Sequence, residues 1–153
     1  MSGDVFLRSA PFLYVSSVET TAPAERIWEV LTGETLVHWV GVFTGLRWLS
    51  PRPFGVGTER EVTLLGVLTA RERFFRWDEG RRYTFGAVEA SLPGLRRAAE
   101  DWTVESTPSG SRLTWTMAIE ATPAVTPLLR VASPVIGLVT RRALRTIRAH
   151  VSG

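Results

Sequence analysis

The sequence predicts an α+β protein in which one long C-terminal helix covers an antiparallel sheet, and three observations predict it. First, the window Ala124 to Val151 keeps a helical period, with apolar residues at Leu128, Leu129, Ala132, Val135, Ile136, Val139, Ala143, Leu144, Ile147 and Val151. Second, from Leu46 onward the pattern changes to period two, in six segments separated by turn residues. Third, a first strand and two short helical stretches precede this meander. A sheet with one apolar face must hide it, and the last helix is the only element long enough to do so.

Taken in order, Met1 to Pro11 carries charges at Asp4 and Arg8 and is expected to be poorly ordered or loosely packed. Phe12 to Thr20 alternates and is rich in β-branched and aromatic residues, so it reads as a strand. Thr21-Ala22-Pro23 breaks it. Pro23 suits a helix start, Glu25 adds a carboxylate to the first turn, and Ile27, Trp28, Val30 and Leu31 form an apolar face that stops at Gly33. A second short helix is predicted over Glu34 to Val40. The strands that follow are Leu46–Ser50, Gly57–Leu65, Leu68–Trp77, Arg82–Ala90, Ala98–Ser106 and Arg112–Ala121. Between them stand turn residues such as Asp78-Glu79-Gly80, Leu92-Pro93-Gly94 and Pro108-Ser109-Gly110. In the last helix, Pro134 removes a backbone donor inside the pattern and predicts a bend there.

Length and composition narrow the class. A chain of 153 residues, 44% hydrophobic and 22% charged, fits one globular domain spanning residues 1–153. With no cysteine and two histidines, neither disulfides, thiolate chemistry nor a metal site is expected, and no cofactor is expected either. No apolar run suits a signal peptide or a membrane span, which predicts a cytoplasmic protein. All 18 basic residues are arginine, against 15 acidic ones, and the excess is too small to predict nucleic-acid binding. The arginines from Arg141 to Arg148 read as a solvated helix face. No Ser-His-Asp arrangement and no glycine-rich phosphate loop is present.

The order of elements, together with the stretches Val18 to Leu31, Trp77 to Phe85 and Gly110 to Trp115, resembles the START and pollen-allergen superfamily, and within it the polyketide cyclase/dehydrase-like branch of SRPBCC proteins. The resemblance covers nearly the whole chain from Phe12 to Val151. It implies a helix-grip fold, β-α-α-β6-α, with a seven-stranded antiparallel sheet wrapped around the C-terminal helix. It also implies an internal cavity that takes a small hydrophobic or aromatic molecule, in a monomer or a homodimer. The alternative it leaves open is an enzyme, a cyclase or dehydratase acting on a cyclic or polyketide-like intermediate.

Alternation then picks the inward residues, because a sheet exposes successive side chains on opposite faces. The large apolar groups collect with Arg60, Val62 and Leu64; Arg73, Phe75 and Trp77; Tyr83, Phe85 and Ala87; Glu100, Trp102 and Val104; and Leu113, Trp115, Met117 and Ile119. Phe74 fits the opposite choice in its strand. The expected ligand-binding set is Trp39, Phe43, Val62, Leu64, Phe75, Trp77, Tyr83, Phe85, Trp102, Trp115, Met117, Val135, Ile136 and Val139. Candidates for proton transfer are Arg73, Tyr83, Glu100 and His38. Arg73 and Glu100 read as a buried or rim salt bridge, or else as a polar anchor for a ligand. The entrance is expected between Thr35–Gly45, the Leu92–Arg96 loop and Pro134.

Overall fold

The computed structural model describes residues 3–38, 41 and 43–152, the side chain of Val37 excepted. Helix α1 (Gly3–Ser9) leads into strand β1 (Phe12–Thr20) and helix α2 (Ala24–Thr32), followed by a 3-10 turn at Leu36–His38. Six strands come next: β2 (Phe43–Trp48), β3 (Glu59–Leu64), β4 (Leu68–Asp78), β5 (Arg82–Ala90), β6 (Leu95–Thr107) and β7 (Gly110–Ala121). Helix α3 (Thr126–Ser152) ends the chain. The strands form one antiparallel sheet in the order β1-β7-β6-β5-β4-β3-β2. This is the predicted helix-grip arrangement, with the first strand and the fifth matching their predicted limits; of the predicted second helix, whose Trp39 and Val40 lie outside the described residues, Leu36–His38 forms a 3-10 turn.

Inward and outward faces follow the predicted alternation in β3, β5, β6 and β7. In β4 they do not. Ala70, Glu72 and Phe74 are buried, whereas Arg73 and Phe75 lie on the outer face. A register shift between Phe74 and Arg76 inserts one extra residue, so that Phe74 and Trp77 both reach the inner aromatic cluster. Strict alternation cannot place residues three apart on one face, and choosing Trp77 therefore inverted the rest of the strand. Arg73 pairs with Glu59 on the outside, 2.7 Å away, and does not meet Glu100.

The outer face is also where the first residues of the chain settle. They form α1, correcting the expectation of a loosely packed segment. Phe6 is 2% exposed and packs on Ala99 and Ala118, whose small side chains leave room for its ring. The Arg97 guanidinium lies 4.4 Å from the centre of that ring. Asp4 pairs with Arg76, and Gly3 sits so close over Phe75 that a Cβ would stand 2.3 Å from its Cζ.

The inner face is solid at one end. Trp28, Trp48, Phe54, Phe74, Trp77, Tyr83 and Phe85 form a chain of ring contacts beneath α2, most of them edge-on or tilted. Their polar ends fasten neighbouring elements. The Tyr83 hydroxyl donates to the Leu31 carbonyl, Trp48 Nε1 to that of Gly33 and Arg52 Nη2 to that of Thr32, which satisfies carbonyls that the end of α2 leaves open. Trp28 and Trp77 each donate to Glu79 in the β4–β5 turn.

Helix α3 divides at about its middle. Its buried residues, Thr140, Ala143, Leu144, Ile147 and Val151, all belong to the C-terminal half. In the N-terminal half Leu128, Val131 and Val135 are 69%, 79% and 60% exposed, so the predicted apolar stripe is not buried along its whole length. Hydroxyl pairs tie the helix to edge strand β1. Tyr14 meets Ser133 at 2.7 Å, Ser16 meets Thr140 at 3.1 Å and Thr20 meets Ser152 at 2.6 Å.

Candidate functional site

Where the N-terminal half of α3 stands away from the sheet, a cavity of about 420 Å3 remains. Phe43, Val62, Leu64, Trp115 and Met117 line it from the sheet, and Val135, Ile136 and Val139 from the helix. Ala70, Ala87, Ala98, Ile119, Leu92 and Leu95 complete the apolar wall. The alanines explain the space, because at these inward positions β4, β5 and β6 contribute only methyl groups. A wider groove of about 660 Å3 runs outside, between β1 and α3, but its wall mixes Leu13 and Leu138 with Arg130 and Arg141 and contains none of the carboxylates described next.

Of the residues expected to line the cavity, Trp77, Tyr83, Phe85 and Trp102 fill the adjoining core instead. Phe75 is on the outer face, and Trp39 lies outside the described residues. Ala70, Glu72, Leu92, Leu95, Ala98 and Thr140 were not in the expected set. Ala87 and Ile119 were recoverable from the predicted inward faces, and Leu92 and Leu95 from the loop expected at the entrance. Glu72 was hidden by the inversion of β4.

Among the described residues three polar side chains touch the cavity: Glu72, Glu100 and Thr140. Glu72 is 5% exposed and accepts a 2.7 Å hydrogen bond at Oε1 from Nε of Arg60, itself 2% exposed. The Arg60 guanidinium lies between aromatic rings, 4.6 Å from the centre of Phe85, 5.1 Å from Phe74 and 5.2 Å from Trp48. Its Nη1 has no hydrogen-bond acceptor among the described residues, and the ring faces are its nearest electron-rich surface. Burial pulls the Arg60 pKa down, but the charge and hydrogen bond of Glu72, together with Tyr83, outweigh it and the guanidinium stays ionised.

Glu100 is held by the stacked pair Trp102 and Trp115, whose ring centres are 4.4 Å apart. Both indoles donate to Oε1, Trp115 at 2.6 Å and Trp102 at 3.2 Å. Burial pushes the Glu100 carboxyl up to about 7, with the nearby Glu72 charge adding to the rise and Arg60 and the two indoles opposing it. Burial raises Glu72 as well, against the pull of Arg60. The two carboxylates titrate as one set, which retains a proton near neutral pH. Tyr83 is pushed up to about 12, chiefly by burial, and its hydroxyl is committed to the Leu31 carbonyl. His38 is exposed on the 3-10 turn and Arg73 is outside the sheet, so of the four proton-transfer candidates Glu100 alone lines the cavity. Among the described residues no group of three or more His, Asp or Glu side chains is placed to hold a metal ion.

An antiparallel sheet gripping a long C-terminal helix, with an apolar cavity between the two, defines a START-like protein of the helix-grip class. The sequence places it more narrowly: residues 12–152 match the model of the polyketide cyclase/dehydrase and lipid transport family, and the chain belongs to that family. It is 36% identical over 146 residues to an uncharacterised protein of Mycobacterium tuberculosis, covering 95% of this chain and 87% of the relative. A crystal structure of a Thermus thermophilus protein superposes with a TM-score of 0.74 at 19% identity, covering 92% of this chain and 97% of the other. A START superfamily protein from Mycobacterium smegmatis gives 0.72 at 14% identity, covering 91% and 96%. Family and fold together support a START-like, hydrophobic ligand-binding domain. Among the described residues no helix is long and apolar enough to cross a membrane.

Proposed function

We propose that the protein binds a small hydrophobic or aromatic molecule in the cavity between the sheet and the N-terminal half of α3. The observation that carries this is the wall itself: a space of about 420 Å3 in which all but three of the described lining side chains are apolar. Cavities of this size and character suit small apolar ligands, and burial contributes about 25 cal/mol per Å2 of apolar area before the costs of association are subtracted. Native mass spectrometry and tryptophan-fluorescence titration against a panel of aromatic hydrocarbons should give saturable one-to-one binding. Trp115 lies in the wall as a built-in reporter. Ala98→Trp fills the space and should abolish binding while the circular dichroism spectrum is retained. Equal binding by wild type and Ala98→Trp would overturn the proposal.

One observation favours a second reading, an enzyme of the cyclase or dehydratase type. Glu100 lines the cavity with its pKa raised to about 7, a value suited to giving and taking a proton at neutral pH. Under this reading Glu100→Gln retains ligand binding and loses turnover of a polyketide-like β-carbonyl substrate. Turnover that survives the substitution would remove Glu100 from the chemistry.

A further inference from the structure

We propose that Glu72 and Glu100 together recognise a hydroxyl group, so that the ligand is an apolar ring or chain carrying a phenol or an alcohol at the end it buries. This rests on the reading that the cavity binds an apolar ligand, and it names the polar part of that ligand.

The argument starts from the oxygens the protein leaves unused. In Glu72, Oε1 takes the Arg60 bond, and in Glu100, Oε1 takes both indole bonds. Among the described residues no donor reaches Oε2 of either, and neither oxygen is sealed from the cavity that both side chains line. The remaining polar side chain of the wall is already committed. Thr140 Oγ1 donates to the Gly137 carbonyl at 2.9 Å, and so accepts from Ser16 in their 3.1 Å contact. Among the described residues every other lining side chain is carbon or sulfur, apart from the Trp115 indole nitrogen, which already donates to Glu100. Two unfilled oxygens in an apolar space are costly to leave unmatched and inexpensive to fill from a ligand that brings a donor.

Charge decides which donor. The charged and titratable groups around the pair are Arg60 on β3, Glu72 on β4, Tyr83 on β5 and Glu100 on β6, while α3 offers Thr140 alone. Arg60 balances Glu72, and below about pH 7 the buried Glu100 carries a proton, so the end of the cavity is then neutral and presents one donor and one acceptor. A hydroxyl has the same two valences: it donates to the ionised oxygen and accepts from the protonated one. A ligand carboxylate would face two acidic groups with no open cation, because Arg60 is bonded to Glu72 and enclosed by rings. An ammonium ion would bring a charge with a larger desolvation cost and no use for the proton.

The test compares naphthalene, 1-naphthol, 1-naphthoate and 1-naphthylmethylamine by fluorescence titration at pH 6 and pH 8. At pH 6 wild type should bind 1-naphthol about tenfold more tightly than naphthalene, the equivalent of about 1.4 kcal/mol, and the two ionic probes more weakly than 1-naphthol. Glu100→Leu should reduce the 1-naphthol advantage to below about threefold while naphthalene still binds, so naphthalene reports whether the cavity survives. Glu100→Gln, which imitates the protonated carboxyl, should keep the advantage. From pH 6 to pH 8 the advantage should fall severalfold in wild type and stay constant in Glu100→Gln. Equal affinity for naphthalene and 1-naphthol in wild type would overturn this inference and leave cavity binding intact. Tightest binding of 1-naphthylmethylamine would overturn it in favour of a cation site, and tightest binding of 1-naphthoate in favour of an anion site. A wild type that binds none of the four would overturn the cavity reading itself.

Discussion

Glu100 shows how a single carboxylate is shaped by what surrounds it. Its two indole donors favour the ionised form, yet burial and the Glu72 charge prevail and raise its pKa from 4.5 to about 7. A carboxyl whose folded-state pKa exceeds its unfolded value binds more protons in the folded protein. The stability it contributes is present below pH 4.5 and is lost as pH rises through 7. Wild type should therefore lose up to about 3 kcal/mol between these limits from Glu100 alone, with one pKa unit worth about 1.36 kcal/mol. Urea denaturation at a series of pH values should show that slope, and Glu100→Gln should flatten it. A wild type equally stable at pH 5 and pH 8 would contradict the burial argument. At this scale the sequence was readable where alternation held: Tyr83, Glu100 and Arg60 all face inward as their neighbours demand. Arg73 was placed on the inner face with Glu100 because collecting Phe75 and Trp77 inward turns Arg73 inward too, and alternation alone does not reveal the extra residue that turns it out.

Among the elements, β4 and α3 carry the departures from simple periodicity. The extra residue in β4 turns Phe74 and Trp77 to the same side, and it moves Glu72 into the cavity in place of Arg73. In α3 the interior Pro134 denies the Arg130 carbonyl its usual donor, close to Val135, Ile136 and Val139 in the cavity wall. Ser133 Oγ in the same turn donates to the Leu129 carbonyl and receives the Tyr14 hydroxyl, which fastens this weak point to β1. Pro134→Ala restores the missing bond. It should raise stability by roughly 1–3 kcal/mol in urea denaturation, below or near the penalty usual for proline inside a helix. A stiffer cover should also slow association of naphthalene severalfold in stopped-flow fluorescence. Unchanged association kinetics would show that this part of α3 does not govern entry.

Across the whole molecule, stability and binding are assigned to opposite ends. The aromatic end, closed by α2 and the C-terminal half of α3, is filled, while the N-terminal half of α3 covers a hollow and leaves Leu128, Val131 and Val135 largely exposed. Local opening requires less energy where fewer apolar contacts must break. Amide hydrogens of residues 130–139 should exchange at least tenfold faster than those of residues 143–151, and ligand should slow the first group selectively. Uniform exchange along α3 would show that the helix opens as one unit.

The fold was legible from the sequence because two periods do not overlap: period two marks the strands, the 3.6-residue period marks α3, and glycine and proline mark the turns between them. Binary pattern fixes which elements form and which face each one hides, so β1, β5 and the inward sets of β3, β6 and β7 could be read directly. The cavity was only partly legible. An aromatic inner face predicts neither a filled core nor a hollow one, since both bury the same side chains. The difference came from three alanines, Ala70, Ala87 and Ala98, gathered on the cavity wall from three neighbouring strands, and from the length of α3 that extends beyond the packed end. Likewise the Arg60, Glu72 and Glu100 set joins residues as much as 40 positions apart in the chain, on strands whose register depends on two irregularities between β4 and β5. Local sequence sets periodicity. Only the tertiary structure, through register and the volumes of neighbouring side chains, decided where the charges meet and where the space is left.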